Sequence, residues 1–574
     1  MIQTDQTGYP SVDKPWLKYY SDEALNAKLP GKTIYQYLYD SNVNNLNKIA
    51  INYFGKKVTY NSMFHYIDEV SYAFKSIGVE EGDIVSLCML TMPETIYSIY
   101  ALNHLGAVCN NIEPRTNADK IRDRINDTNS KILIVVDVFL NKILEIADQT
   151  KLEHIIVVPI SRSMPEHTKV IFKITKQRLI AKIPHDPRFE TYNDFIKKYE
   201  TKEIEYPKYK KNTPAVIIYT GGTTGVPKGA VLSNDSVVAV VEACIYDVPL
   251  LFSGERFLGI MPPFIAYGFV FGSFIPFCAG LEVVLIPNFT PESFDKLILK
   301  YKPNHVIGVP SFFERLTKSK IMEGKDLSYL MCLITGGDQL LESTENSINS
   351  FLRNHNCKYK IQKGYGMTEM GSAVTVTATE DCNLSGSVGV PSHLAIVKII
   401  NSETGEELSY NQEGEICMTS PGMMLRYYNN PEETSKVRKI HSDGRAWVHT
   451  GDIGYMNSDG VIYIKGRIKR MIIRPDGHNV WPSLIEEVVK RHDSISDCVC
   501  VGTPNPDNAN GRIPTAFMVV KDGVKETEEL LSEIEEYCKK YLPERDVALK
   551  YCYIDEIPLT SVGKVDYRKL ENES

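Results

Sequence analysis

At 574 residues the chain exceeds a single compact core, so two or more folding units are expected at the usual ~100–200 residues per domain. Hydrophobic residues at 43% and charged residues at 24% exclude a disordered or fibrous chain. Sixty-four Lys plus Arg against 72 Asp plus Glu give a net charge of −8 with no basic domain, which argues against nucleic acid as a partner.

The first sixteen residues, MIQTDQTGYPSVDKPW, have neither a basic start nor an apolar stretch, and no uninterrupted apolar run of ~18 residues follows, so a cytoplasmic protein with no integral membrane segment is expected. The twelve cysteines include no C-x-x-C pair; Cys498 and Cys500 come nearest, and the set reads as isolated buried thiols in a reducing compartment.

Residues 64–78 read as a helix, followed by a turn at EEGD and a buried strand at 84–90. PETIYSIYALNHLGAV is again helical, and KILIVVD (131–137) is too apolar to alternate. Strands apolar on both faces and separated by helices predict a parallel α/β sheet. The pattern returns at 154–159, 281–287, 305–310 and 330–337, giving one large layered α/β unit or two similar ones. From about residue 386 short alternating strands and glycine turns predict a small β-rich portion, and beyond 469 a helix, two strands and a second helix make a compact α+β unit.

Residues 168–184, TKVIFKITKQRLIAKIP, carry Lys169, Lys173, Lys176, Arg178 and Lys182 with no acid among them. The helical phasing is poor, because Arg178 falls opposite Lys169. The segment reads as a solvated insertion, with contact to an anionic membrane surface or a partner as the alternative.

The stretch YTGGTTGVPKG, Tyr219 to Gly229, follows the apolar run AVIIY. A glycine-rich turn after a strand presents N–H groups to phosphate, and hydroxyls and a lysine add donors and charge. It is not the usual phosphate loop: Pro227 precedes Lys228 and Gly229 follows it, so the second glycine and the magnesium hydroxyl are missing. Four further polar turns lie downstream. GYGMTE (364–369) places Glu369 beside a strand end, where a carboxylate next to polyphosphate suits Mg²⁺. HTGDIGY offers Asp452, KGRIKR offers Arg467, and SVGK places Lys564 near the chain end. Each alone is more often a structural turn than a functional one.

Together, in this order and spacing, the five motifs resemble the acyl-adenylate-forming, AMP-binding superfamily, which includes acyl-CoA synthetases, 4-coumarate–CoA ligases, luciferases and nonribosomal peptide adenylation domains. The resemblance runs from about Thr33 to Leu570. It implies an α/β fold in which residues 1–468 form a large multi-layered domain of two α/β subdomains and a small β-rich one, and 469–574 form a small mobile α+β lid carrying the catalytic lysine. It implies that a carboxylic acid attacks the α-phosphorus of ATP and that a thiol then displaces AMP. The loop residues Thr220, Gly221, Gly222, Thr223, Thr224, Gly225 and Lys228 would cradle the β- and γ-phosphates. Glu369 would hold magnesium, Thr368 would meet the α-phosphate, and Gly337, Gly364, Tyr365 and Gly366 would frame the adenine. Asp452 would take the ribose hydroxyls, assisted by Arg467. Lys564 would stabilise charge on the carboxylate and α-phosphate, Lys469 would be the hinge, and Gly477 would line the coenzyme A tunnel. Phe264, Ile265, Tyr267, Gly268, Pro310, Ser311, Phe312, Gly336 and Met370 would line the acyl pocket.

The match has departures. Gly221 stands where many relatives carry serine, Pro475 and Asp476 replace a basic approach to Gly477, and Ile265 stands where plant ligases have histidine. The aspartate that amino-acid-activating domains set against an α-ammonium is lacking, which argues against an amino-acid substrate. The implied function is an ATP- and Mg²⁺-dependent acid–coenzyme A ligase. One alternative is a stand-alone adenylation enzyme loading the phosphopantetheine of a separate carrier protein. The other is a silent nucleotide-binding protein, against which Lys228, Glu369, Asp452, Arg467 and Lys564 together argue.

Overall fold

The computed structural model describes residues 7–176, 180–197, 204–220, 227–476, 478–505, 511–560 and 563–572. Two large sheets form its body. The first runs Arg426–Tyr427, Gly229–Ser233, Pro214–Tyr219, Val108–Asn111, Ile84–Cys88, Ile132–Val136, His154–Val158 and Phe189–Thr191. It is parallel from Pro214–Tyr219 to Phe189–Thr191, and its first two strands are antiparallel additions at one edge. The second has nine strands, with a parallel centre of Gln362–Met367, Cys332–Thr335, His305–Gly308, Arg256–Gly259, Glu282–Leu285 and Ile49–Tyr53. All five residues of Ile132–Val136 are buried, which is why that run does not alternate.

Helices between the sheets join them into one hydrophobic core. The helix Tyr60–Ser76 is capped by the Thr59 hydroxyl, which accepts from Ser62 N, and buries Tyr60, Met63, Phe64, Ile67, Val70 and Phe74. The helix Pro93–His104 is buried from Pro93 to Asn103, with the polar Glu94, Thr95, Ser98 and Asn103 enclosed among its apolar residues.

A third sheet takes Ile396–Ile400, Gly414–Thr419, Ala446–Met456, Arg438–Ile440 and Ile462–Arg467. Its core includes Val397, Ile416, Val448 and Met456, and Trp16 from the chain's beginning is wholly buried among them. Gly460, at φ +86°, lies so close to Trp16 that a Cβ would sit 2.7 Å from the Trp16 nitrogen, so only glycine fits this turn.

From Ile472 onward the chain packs around a core of its own. Ile495–Pro504 pairs antiparallel with Arg512–Val520, Lys550–Tyr553 adds in parallel, and the helices Pro482–Lys490 and Glu528–Tyr541 cover them. Cys498 and Cys500 face this core together. All twelve cysteines are free thiols and eleven are buried, as the spacing predicts.

The basic insertion contributes a helix, Glu166–Lys176, despite its phasing. Arg178, the residue that spoils the period, lies outside the described residues.

Candidate nucleotide and acyl site

The strand Gln362–Met367 ends the parallel centre of the nine-stranded sheet and carries Gly364, Tyr365 and Gly366. Gly366 meets the returning strand Ser372–Val376 so closely that a Cβ would lie 1.9 Å from the Ser372 carbonyl oxygen. The Tyr365 hydroxyl donates to Asp452 Oδ2 at 2.5 Å, and Arg467 Nε donates to Oδ1 at 2.9 Å. Asp452 and Arg467 face each other as direct partners on the antiparallel strands Ala446–Met456 and Ile462–Arg467, which explains how residues fifteen apart meet. Burial raises the Asp452 pKa, opposed by Arg467 and by the Tyr365 hydroxyl. Glu415 steadies the preceding turn by accepting from Gly451 N at 3.1 Å.

Beyond Met367 the chain tightens into the 3₁₀ turn Thr368–Met370. Glu369 is buried there and accepts a hydrogen bond from the Tyr427 hydroxyl. Tyr427 belongs to the edge of the other large sheet, and Lys228 Nζ lies 4.9 Å from the centre of its ring. That ammonium also donates to Glu433 Oε2 at 2.5 Å, and Lys228, foremost, draws the Glu433 carboxyl down to about 2. Glu433, Lys228, Tyr427 and Glu369 thus form a continuous chain from the glycine-rich loop to the buried carboxylate. Thr220 and Lys228 close that loop, with Thr220 N donating to Lys228 O at 2.9 Å and Lys228 N to Thr220 Oγ1 at 3.1 Å. Gly221, Gly222, Thr223, Thr224 and Gly225 lie outside the described residues, as does Gly477.

Lys564 arrives from the C-terminal unit on a turn in which Thr560 N donates to Lys564 O at 2.7 Å and Lys564 N to Thr560 Oγ1 at 3.2 Å. Gly563, at φ +82°, lets the turn press on Phe312, whose ring would be 2.5 Å from a Cβ. Ser311 Oγ donates to Gly563 O at 3.1 Å, and Val565 N donates to Asp338 Oδ2 at 3.4 Å. The side chain reaches Gly337: a Cβ there would lie 3.7 Å from Lys564 Cε and 3.8 Å from Nζ. Burial lowers the Lys564 pKa, Asp338 opposes this, and Arg467 reinforces it.

A cavity of about 390 Å³ brings together Thr220, Tyr365, Thr368 and Lys564, with Glu113, Lys120, Arg124 and Lys363 also at its wall, while Lys228, Glu369, Asp452 and Arg467 stand behind that lining. Thr220, Gly336, Gly337, Gly364, Tyr365, Gly366, Thr368 and Lys564 line its polar side, and Val248, Phe264, Ile265, Tyr267 and Phe271 line an apolar part. The residues expected around an acyl group therefore divide. Phe264, Ile265, Tyr267 and Gly336 face this cavity. Pro310, Ser311 and Phe312 instead face a second cavity of about 580 Å³ at the seam between the two units, which Phe264 also reaches. Gly268 and Met370 line neither. A Cβ on Gly268 would lie 2.0 Å from the Pro262 carbonyl oxygen, and Met370 is buried among Val374 and Ile416 in the core of the third sheet. Lys469 is exposed in the short turn Ile468–Arg470 that joins the units. Tyr427 and Glu433 are absent from the sequence reading, since an edge strand of two residues and a contact across 205 positions leave no periodic signal.

The description AMP-binding enzyme matches residues 39–428, and its companion, the AMP-binding enzyme C-terminal domain, matches 484–564. The chain belongs to the AMP-binding enzyme family. A long-chain-fatty-acid–CoA ligase of Bacillus subtilis is 29% identical over 566 residues, covering 98% of each chain. 4-Coumarate–CoA ligase 1 of Petroselinum crispum is 27% identical, covering 89% of this chain and 88% of that one. Among solved structures, ATP-bound MatB from Rhodopseudomonas palustris superposes with a TM-score of 0.79 at 21% identity, covering 94% of this chain and 98% of that one. An anthranilate CoA ligase bound to anthranoyl-AMP gives 0.80 at 22% identity, covering 96% and 98%. At such identities the structural likeness establishes the fold, a large N-terminal domain with a small C-terminal one.

Proposed function

We propose that this AMP-binding enzyme is an ATP-dependent acid–coenzyme A ligase acting on an apolar monocarboxylic acid. In the first half-reaction a carboxylate oxygen bonds to the α-phosphorus of ATP as the bond to the bridging oxygen breaks, and pyrophosphate leaves with that electron pair. In the second, the thiolate of coenzyme A attacks the acyl carbon and AMP departs. Full-length likeness to named CoA ligases supports this sequence of events.

The observation that carries the reading is Lys564, brought by a separate unit to the wall formed by Gly337 in the cavity that Tyr365 also lines. A desolvated ammonium there sets positive charge beside the reacting carboxylate and α-phosphate, where electrostatic stabilisation counts most. Asp452 accepts from the ribose hydroxyls while Arg467 and Tyr365 fix its orientation. Thr220 and Lys228 hold the outer phosphates, and Thr368 faces the α-phosphate. A buried carboxylate steadied by one hydroxyl fits Mg²⁺, which takes one or two carboxylates with phosphate oxygens, so Glu369 would hold that ion. When bound, it neutralises phosphate charge.

The cavity wall includes Val248, Met261, Phe264, Ile265 and Phe271 beside Glu113, Lys120, Arg124 and Lys363, and its aromatic and aliphatic stretch supports an apolar portion on the acid. Residues 1–468 serve as the body and 469–574 as the lid, with Lys469 as the hinge on which the lid turns between half-reactions.

A carboxylic-acid panel in ATP–pyrophosphate exchange, repeated with coenzyme A and with a phosphopantetheinylated carrier protein, tests the reading. Exchange with apolar acids and discharge by free coenzyme A are expected. No exchange with any acid defeats the enzyme reading, and discharge only by the carrier transfers the second step to a protein acceptor.

A further inference from the structure

The helix Glu166–Lys176 follows the strand His154–Val158 of the first sheet and presents an apolar surface that nothing among the described residues covers. Val170, Ile171 and Ile174 are 56%, 59% and 79% exposed, three of the five most exposed large hydrophobic side chains among the described residues. At 100° per residue they fall within an arc of roughly 100°, while Phe172, on the opposite side, packs against the main core. The helix is therefore anchored by its inner face and leaves its aliphatic face outward.

Its charges complete the pattern. Lys173 is exposed on the flank beside the aliphatic arc, Lys169, a quarter exposed and paired with Glu166, lies nearer the Phe172 side, and Lys56 from the strand Lys56–Thr59 approaches the same helix. The helix's acid is Glu166, whose carboxyl is held below the usual range chiefly by its hydrogen bond with Lys169, at 2.6 Å, with Lys56 and Lys173 adding to the effect. The sequence from 168 to 184 contains no acid at all. An exposed aliphatic arc flanked by lysines matches an anionic lipid surface, into which the aliphatic side chains insert while the ammonium groups reach headgroup phosphates. No helix among the described residues is long and apolar enough to cross a membrane, so this contact lies in the plane of the interface.

We infer that the helix Glu166–Lys176 docks the enzyme on anionic phospholipid bilayers. This rests on the surface alone and stands whether the acid substrate is aliphatic or aromatic.

The test is sedimentation of the full chain with vesicles of phosphatidylcholine alone and of an equal mixture with phosphatidylglycerol. Binding to the mixture, weakened by salt and absent from phosphatidylcholine alone, is expected. In the double variant Ile171→Glu/Ile174→Glu the partition coefficient falls at least about tenfold, and Lys173→Glu lowers it several-fold. Both positions are exposed, so the thermal transition and ATP–pyrophosphate exchange of the double variant remain those of the wild type. Equal sedimentation of wild type and double variant, or binding indifferent to phosphatidylglycerol, overturns the proposal. So does a wild-type dimer in analytical ultracentrifugation that Ile174→Glu dissociates without any lipid binding, since the arc would then belong to a second copy.

Discussion

The two halves of the candidate site are built in opposite ways. On the body, Asp452 is tied by charge-assisted hydrogen bonds to Arg467 across paired strands and to Tyr365 from the nine-stranded sheet, and Glu369 is locked by Tyr427 from the other large sheet. Lys564 is held in place by contacts across a seam: Ser311 to Gly563, Asp338 to Val565, Ser343 N to Glu487 at 3.2 Å, and Glu314 to Lys490 at 3.6 Å. Buried acceptors such as Asp452 and Glu369 are costly to strip of their donors, whereas the single long contacts of the seam, 3.1 to 3.6 Å, are each easier to give up. If, as proposed, the C-terminal unit turns between half-reactions, the body's half would persist while the seam's contacts give way.

Lys564→Ala should break the contrast most sharply. Adenylate formation is expected to fall by roughly 10²–10³ or more, with ATP binding and thioester formation from supplied acyl-adenylate largely retained. Pyrophosphate exchange and a separate thioesterification assay read the two steps. Because burial lowers the Lys564 pKa, the alkaline limb of adenylation should set in at a lower pH than for an ordinary lysine, and Lys564→Arg, which stays charged, should move that limb upward.

Asp452→Ala leaves Arg467 and Tyr365 without their shared acceptor, so ATP affinity should fall roughly 10- to 100-fold, read by calorimetric titration. Tyr427→Phe removes one donor from the buried Glu369 and should raise the Mg²⁺ concentration needed for half-maximal exchange about tenfold, together with a lowered folding temperature. The smallest effect belongs to the seam. Glu314→Gln weakens the contacts with Lys490 and with Lys318 at 3.1 Å, and should slow adenylation by up to about fivefold while leaving thioester formation unchanged or faster. Equal loss in both half-reactions would show that Glu314 merely supports the fold.

The strands of both large sheets were legible because burial on two faces writes continuous apolar runs, as in Ile132–Val136 and His154–Val158. Asp452 and Arg467 were legible as polar residues beside glycines, but the expected glycine turn at Asp452 is the interior of the strand Ala446–Met456 and Arg467 is the last residue of its own strand, and their direct pairing was hidden because a cross-strand register emerges only when the sheet closes. Long-range partners were hidden for the same reason: nothing near Lys228 announces Glu433, and nothing near Glu369 announces Tyr427. The acyl residues divided because a motif specifies neighbours along the chain, while Gly268 and Met370 are consumed by packing that other segments impose.

Trp16 has a bearing on how the protein is made. It is buried against Gly460 and beneath strands that end near residue 467, so its site does not exist until most of the chain has been synthesised. At translation rates of ~5–20 residues per second, the segment around Trp16 waits roughly 20–90 s for its place. During that interval Trp16 and its apolar neighbours are exposed, a surface for a chaperone to cover while synthesis continues.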